Sequence, residues 1–285
     1  MQKYESEFFK TLRESSNKSA KEIVPIIINL LNPKSIADVG CGEGSFLSVF
    51  REYKVKDILG IDGKWVNKNN LQIPKKYFLS HDLNKPLPKN FFKRKFDLVV
   101  SLEVAEHLAP ESAENFVKTL VNLGDIILFS AAIPFQRGLN HLNEQWPNYW
   151  QDIFLKHNYI AFDCLRNKIW ENKNIDWWYR QNLILFLNKN YLKKHRNLEK
   201  KLSKSISVGV MSLVHPEKYI LLENEKNDLR NWAENLQNDN KEIYIKLVQT
   251  SSHLNKILNS YKLIFFINSK LKKTSFYNFY KKLLK

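Results

Sequence analysis

Apolar residues along this chain change period several times, and each change marks an element. Over residues 4–31 they recur at helical spacing, clearest at Ile23, Ile26, Ile27, Leu30 and Leu31, until Pro33 stops the run. That spacing predicts one or two helices. Short apolar runs bounded by charged or turn residues follow at 35–39, 58–61, 77–80, 96–101 and 125–131, and each is the length of a strand. Helical patterns fill the intervals at about 44–53, burying Phe46, Leu47 and Phe50, and at about 111–123. A helix over 146–157, with Trp150, Phe154 and Leu155 facing inward, a strand near 159–165 and a last strand over 182–187 complete the series. Strands alternating with helices imply a sheet covered on both faces. The near-continuous apolar run Ile126-Ile127-Leu128-Phe129 fits a strand buried on both sides. The expectation is an α/β, doubly wound, mostly parallel sheet of seven strands spanning residues 1–190, N-terminal helices included.

Residues 191–285 read differently. The stretch 190–205 is basic and helical, and from Pro216 a long helical pattern runs with little Gly or Pro to interrupt it. Its apolar positions, among them Leu229, Trp232, Leu236, Ile243 and Leu247, suit a pairing helix or short coiled coil with irregular heptads, and so a homo-oligomer. The formal net charge is +16, and beyond Glu242 there is no acidic residue, while Lys246, Lys256, Lys262, Lys270, Lys272, Lys273, Lys281, Lys282 and Lys285 follow. Aromatic residues alternate with these lysines over 261–285, a composition suited to an anionic membrane surface. No apolar run reaches the ~18 residues of a membrane span, and the N-terminus mixes Lys3, Glu5, Glu7 and Lys10 among its apolar residues, unlike a secretory signal. Two cysteines, Cys41 and Cys164, make no disulfide framework. The expectation is a cytoplasmic protein, peripheral to the inner face of the membrane.

The chemistry gathers after the strands. Asp38-Val39-Gly40-Cys41-Gly42-Glu43-Gly44 is a strand end, a tight turn and a helix start, where glycines let backbone approach a ligand. Asp62, with Gly63 beside it, closes the second strand 24 positions after Asp38, where a ribose-binding acid belongs. Asp82 closes the third strand and Glu103 follows the fourth. Four acids at one sheet edge, where open α/β folds bind ligands, are harder to explain as isolated helix caps or loop acids than any one alone. The glycine spacing 40, 42, 44 disfavours a dehydrogenase, whose third glycine falls one residue later.

Together with Ile61-Asp62, His81-Asp82-Leu83 and Ser101-Leu102-Glu103-Val104-Ala105-Glu106-His107-Leu108, this turn resembles the successive motifs of class I S-adenosylmethionine-dependent methyltransferases, over roughly residues 20–190. The resemblance implies a Rossmann-like fold and S-adenosylmethionine as cofactor, with S-adenosylhomocysteine as product. It implies Asp38, Gly40, Cys41 and Gly42 beside the methionine part, Asp62 and Gly63 at the ribose, Asp82 and Leu83 at the adenine, and Ser101, Leu102 and Glu103 flanking the cofactor.

The spacing of Glu103, Glu106 and His107 brings two carboxylates and an imidazole to one side of a helix or turn, a set suited to a divalent ion such as Mg2+ or Mn2+. The arrangement is similar to that of ubiquinone-pathway and small-RNA 2′-O-methyltransferases, where it binds a metal. His141, after the fifth strand, is the candidate fourth ligand. The competing reading makes His107 a general base or only part of the pocket wall. Asn143-Glu144-Gln145-Trp146-Pro147 and the stretch Ile175-Asp176-Trp177-Trp178-Tyr179-Arg180-Gln181-Asn182 offer aromatic faces with amides and charges, as a sugar ring requires. Trp146, Trp177, Tyr179 and Arg180 are therefore candidate substrate contacts, with core packing as the alternative for the aromatics. The two segments resemble a subgroup of methyltransferases linked to bacterial surface-polysaccharide pathways.

Three functions compete. The first is O-methylation of a sugar hydroxyl in glycan or surface-polysaccharide synthesis, with His107 or His141 as base or metal ligand. The second is a metal-dependent RNA 2′-O-methyltransferase; the absence of a recognised RNA-binding module and the gathering of lysines in the tail make a nucleic-acid partner the weaker case. The third is a non-enzymatic, cofactor-binding scaffold with a helical interaction tail, which has no need of the intact acid and glycine positions.

Overall fold

Ser35–Val39 (β1) is buried at every position and lies inside a seven-stranded sheet in the computed structural model, which describes residues 2–88, 94–202 and 212–269. The other strands are Asp57–Asp62 (β2), Phe78–Ser80 (β3), Leu98–Leu102 (β4), Ile126–Ser130 (β5), Tyr159–Phe162 (β6) and Ile184–Asn188 (β7). Their order is β3-β2-β1-β4-β5-β7-β6. The first five pair in parallel, and β7 runs antiparallel to both neighbours. This is the mostly parallel sheet that the chain's periodicity implied, with the Rossmann-like form that the resemblance implied.

Alternation along the strands divides the core into two layers. Ile36, Leu98, Val100, Leu128, Leu185 and Leu187 face one side and pack with Ile23, Val24 and Ile27 of α1 (Gln2–Leu31) and Leu47 and Phe50 of α2 (Ser45–Glu52). Ala37, Val39, Val99, Ile127, Phe129 and Phe186 face the other and pack with α3 (Ala113–Leu123) and α4 (Pro147–Lys156). In α4, Trp150 and Phe154 turn inward as expected, but Leu155 is 47% exposed and Ile153 takes the buried place. One residue beyond Phe154 is a further ~100° around the helix, which carries Leu155 off the apolar stripe.

After β6 the chain forms α5 (Arg166–Ile169) and α6 (Trp177–Asn182), and after β7 it forms α7 (Lys189–Lys194) and α8 (Arg196–Leu202). The chain divides into a unit Met1–Tyr219 and a unit Ile220–Lys285. The expected division at 190 therefore shifts: Leu192 and Leu202 join the core of the first unit, and His215 and Lys218 are buried in it. The long helix α9 (Pro216–Ser269) continues into the second unit, where Leu229, Trp232, Leu236, Ile243 and Leu247 are exposed. The lysine-rich residues 270–285, expected to meet a membrane, lie outside the described residues. Among the described residues, no helix is long and apolar enough to cross a membrane. Cys41 and Cys164 are both free and buried.

Candidate active site

The turn after β1 is built from backbone. Gly40, Gly42 and Gly44 all hold left-handed φ, at 87°, 53° and 88°. At Gly40 a Cβ would also lie 2.2 Å from Val104 Cγ2, so conformation and packing both demand glycine. The Gly40 N–H donates to the Ile61 carbonyl at 2.7 Å, which locks the turn to the end of β2. The Asp62 carboxylate accepts from the Gly42 N–H at 2.7 Å and the Gly63 N–H at 2.6 Å, with the Trp65 indole as a third donor. These donors oppose the rise that burial imposes on the Asp62 pKa. Asp38 is buried beside it; desolvation, then the charge of Asp62, push its pKa up to about 8. The Cys41 thiol is pushed up by burial and by both aspartates, and stays neutral. Gly63 lies under the Trp65 ring, which is 70% exposed. Asp82 is exposed, and the Asn84 N–H holds its pKa below the ordinary carboxylate value, while Leu83 beside it is buried. Ser101 and Leu102 are buried at the end of β4, and Ser101 Oγ has no hydrogen-bond partner.

The acceptor side is built from side chains. Glu103 takes a left-handed φ of 53°, unusual without glycine, and its N–H reaches the Ser130 carbonyl at 3.0 Å. A single 3-10 turn, Ala105–His107, follows. Glu103 therefore does not share a helical face with Glu106 and His107, and the expected four-ligand convergence is corrected. The Glu103 carboxylate instead accepts from Gln136 Nε2 at 2.8 Å and Asn182 Nδ2 at 3.1 Å. The groups that do converge are Glu106, His107 and His141, whose donor atoms all lie within 4.8 Å of one another.

Within this trio Glu106 is fully buried, and neither of its oxygens has a hydrogen-bond partner. Burial, then the charge of Glu103, raises its pKa well above the ordinary value. The His107 and His141 rings meet edge to face at 4.7 Å between centroids. His141 Nδ1 sits 2.8 Å from Glu144 Oε1, which leaves Nε2 to face the trio. Desolvation, then His141, hold His107 below its ordinary pKa, while carbonyls of Asn140 and Leu139 oppose that shift. The loop carrying His141 is tied down by the Leu142 and Asn143 N–H groups, which donate to the Glu106 carbonyl at 2.8 and 2.9 Å. A buried, unpartnered carboxylate beside two imidazoles, each oriented by an acceptor at its outer side, suits a divalent cation. Without one, it suits proton transfer at an imidazole.

The expected substrate contacts separate into two groups. Trp146 is 41% exposed and Trp177 is half-buried, with the Lys218 ammonium 5.7 Å from the Trp177 ring centre. Tyr179 and Arg180 are buried instead. Tyr179 packs edge-on against Phe46, and Arg180 donates to the Trp170 carbonyl, His215 and Glu217. Both belong to the packing behind the site, where the two terminal nitrogens of the guanidinium find partners in its own chain.

Sequence reading missed a buried amide network that holds Glu103 from behind. Asn182 Nδ2 donates to Gln136 Oε1 at 2.9 Å, Gln181 Nε2 to Asn182 Oδ1 at 3.0 Å, and the His215 N–H to Gln181 Oε1 at 2.7 Å. Lys218 Nζ donates to the Gln136 carbonyl at 2.8 Å. Gln181 and Asn182 ended a segment singled out for its aromatics, whereas Gln136, His215 and Lys218 carried no local signal.

Among solved structures, the methyltransferase domain of bacterial CtHen1 is 20% identical, over 60% of this chain and 98% of that one, with a TM-score of 0.44. An O-methyltransferase-like protein from Nostoc punctiforme is 13% identical over 64% of this chain and 59% of its own, at 0.46. Human N-acetylserotonin methyltransferase, solved with S-adenosylmethionine, is 15% identical over 64% and 55%, at 0.43. No curated protein sequence matches the chain. The model of the methyltransferase domain family, however, matches residues 13–182, from α1 through the glycine turn and the Glu106–His107–His141 cluster to Asn182, and the chain belongs to that family.

Proposed function

We propose that this protein transfers the methyl group of S-adenosylmethionine to a sugar hydroxyl, in the synthesis of a glycan or surface polysaccharide. The observation that carries an oxygen acceptor is the Glu106–His107–His141 cluster at the carboxyl edge of the sheet. A sulfonium is already activated, so the protein's share is alignment of the acceptor oxygen and removal of its proton. In this reading the glycine turn and Asp62 hold the cofactor, and Trp146 and Trp177 offer faces to the sugar ring. His107, with its pKa held low, is neutral near pH 7 and accepts the hydroxyl proton at its ring nitrogen. If a divalent ion serves, Glu106, His107 and His141 Nε2 would hold it, with Glu103 outside the set. Bound there, Mg2+ or Mn2+ lowers the pKa of a hydroxyl it contacts.

The same cluster suits the 2′-hydroxyl of an RNA ribose, and the basic composition favours that second reading. A methyl-transfer screen over nucleotide sugars, saccharides and short RNAs, with and without Mg2+ or Mn2+, separates them. Turnover on saccharides alone supports the first reading, and turnover on RNA alone replaces it with the second. Calorimetry with S-adenosylhomocysteine tests the cofactor: the unaltered protein should bind and Asp62→Ala should bind at least about thirtyfold more weakly. No binding by the unaltered protein removes both readings.

A further inference from the structure

The cofactor turn and the Glu106 cluster occupy the carboxyl edge of the sheet, and the opposite edge has a chemistry of its own. Lys34 precedes β1, Lys56 precedes β2, and Arg94 and Lys95 precede β4, all exposed. Because β7 is antiparallel and Leu187 pairs with Ile126, the chain leaves β7 at this same edge. The next two helices, α7 and α8, add exposed Lys193, Lys194, Arg196, Lys200 and Lys201. Among these cations lie exposed Glu52, at the end of α2, and four acids that are already engaged. Asp57 pairs with Arg94, Asp125 with Lys95 and Glu199 with Arg196, while Asp97 accepts the Lys34 and Ser35 N–H groups.

The edge also has a recess with aliphatic residues in its wall. An open cavity of about 620 Å³ lies between the end of α1, the start of β5 and α7–α8. Leu30, Leu31, Ile126 and Leu198 give it apolar walls, and Lys194, Arg196 and Lys201 border it. Its wall is anchored, since Lys201 Nζ donates to the Asn29 and Leu30 carbonyls at the end of α1. Tyr191 stacks on His195 at 4.0 Å, which stiffens the turn between the two helices.

Cations around an aliphatic recess complement a phosphate with hydrocarbon attached below it. A nucleic-acid backbone would match the cations, but single-stranded bases call for free aromatic stacking faces, and the two aromatic rings of this recess, Tyr191 and His195, are stacked on each other. We propose that the amino edge of the sheet is a docking surface for an anionic phospholipid bilayer, with a lipid headgroup phosphate on the Lys194–Arg196–Lys201 rim. The carboxyl edge, with its cofactor turn and Glu106 cluster, then faces away from the lipid. This surface is built from residues of the first unit and does not depend on which hydroxyl is methylated.

Flotation of the full chain with vesicles tests it, comparing neutral phosphatidylcholine with vesicles carrying phosphatidylglycerol. The protein should float with the anionic vesicles, release in high salt and ignore the neutral ones. The triple substitution Lys193→Glu, Lys194→Glu, Arg196→Glu should cut anionic partitioning at least about tenfold while leaving the melting temperature and S-adenosylhomocysteine binding unchanged. Leu198→Ser should weaken it further, as a lipid recess requires. A matching reversal in the second unit, Lys241→Glu, Lys246→Glu, Lys256→Glu, separates the edge from the tail. If the edge triple misfolds, Lys34→Glu with Lys56→Glu must show the same loss. Unchanged partitioning in both edge variants, complete loss in the second-unit variant alone, or tight binding to single-stranded RNA that vesicles cannot displace, each overturns the proposal.

Discussion

The turn after β1 and the loop after β5 end at the same sheet edge, yet they are constructed from different materials. In the turn, three left-handed glycines and backbone donors set the shape, and Asp62 is held by amides from residues 42 and 63. In the acceptor cluster, a left-handed non-glycine residue, Glu103, redirects the chain, and its partners come from residues 136 and 182. The turn is locally encoded and tolerates almost no change of residue type. The cluster is a tertiary assembly whose members each depend on an element far along the chain. The same contrast separates a holder, whose task is fixed by one ligand, from a reactive wall, whose task is to position a variable one.

The sharpest attack on the turn is Gly40→Ala. The added methyl must occupy left-handed φ and collide with Val104, a combined cost of about 2–4 kcal/mol. S-adenosylhomocysteine binding should fall below detection by calorimetry. Adding Val104→Ala relieves the collision but not the backbone strain, so binding should return only in part. Full recovery in the double variant would mean that contact, rather than conformation, requires the glycine.

Next comes Glu106→Gln in the cluster. It keeps the shape and replaces the carboxyl that a divalent ion would need as ligand with an amide that cannot ionise, so methyl transfer should drop at least about a hundredfold while S-adenosylhomocysteine affinity holds. The variant should also melt higher by about 2 °C or more, since an unpartnered buried carboxyl is replaced by a neutral amide. Activity that survives in Glu106→Gln and in the presence of chelator would leave proton transfer at His107 as the working chemistry.

These two sites also differ in how far they could be read from the chain. Gly40, Gly42, Gly44 and Asp62 were legible because strand, turn and acid follow one another in sequence order. The pairing of His107 with His141 was also anticipated, since both follow strands that end side by side. Helical spacing misled at Glu103, because periodicity presumes right-handed φ and this residue does not adopt it. It misled again at Tyr179 and Arg180, where a polar, aromatic composition suits a sugar pocket and a buried helix equally well. Arg180 finds partners in Glu217 and His215, more than thirty residues later, and no local pattern announces such a partner. The first unit likewise runs past residue 190 because His215 and Lys218 are buried in it, which only the folded chain shows.

A milder test addresses the dependence of the cluster on distant elements. Asn182→Ala removes one donor to Glu103 and one to Gln136. It should reduce turnover about tenfold, with S-adenosylhomocysteine affinity and KM for the acceptor shifted less than threefold. Asn182→Asp should be worse than alanine, because it sets a second acid against Glu103. Equal loss of cofactor binding in either variant would erase the proposed division between holder and wall.

The smallest effect belongs to the turn and is read as a pH dependence. Asp38 has an ordinary pKa of 3.8, and in the fold it is pushed up to about 8 by burial and by Asp62. Between those values the folded chain keeps a proton that the unfolded chain has released. The favourable contribution of neutral Asp38 is therefore complete below about pH 4 and is lost progressively as pH rises toward 8. Asn at this position is neutral throughout and avoids that loss. Asp38→Asn should match the unaltered protein near pH 4 and melt higher by about 3 °C or more at pH 8, with the gap growing between. A gap of constant size across that range would mean that the substitution acts through packing, and that the paired acids of the turn are not electrostatically strained.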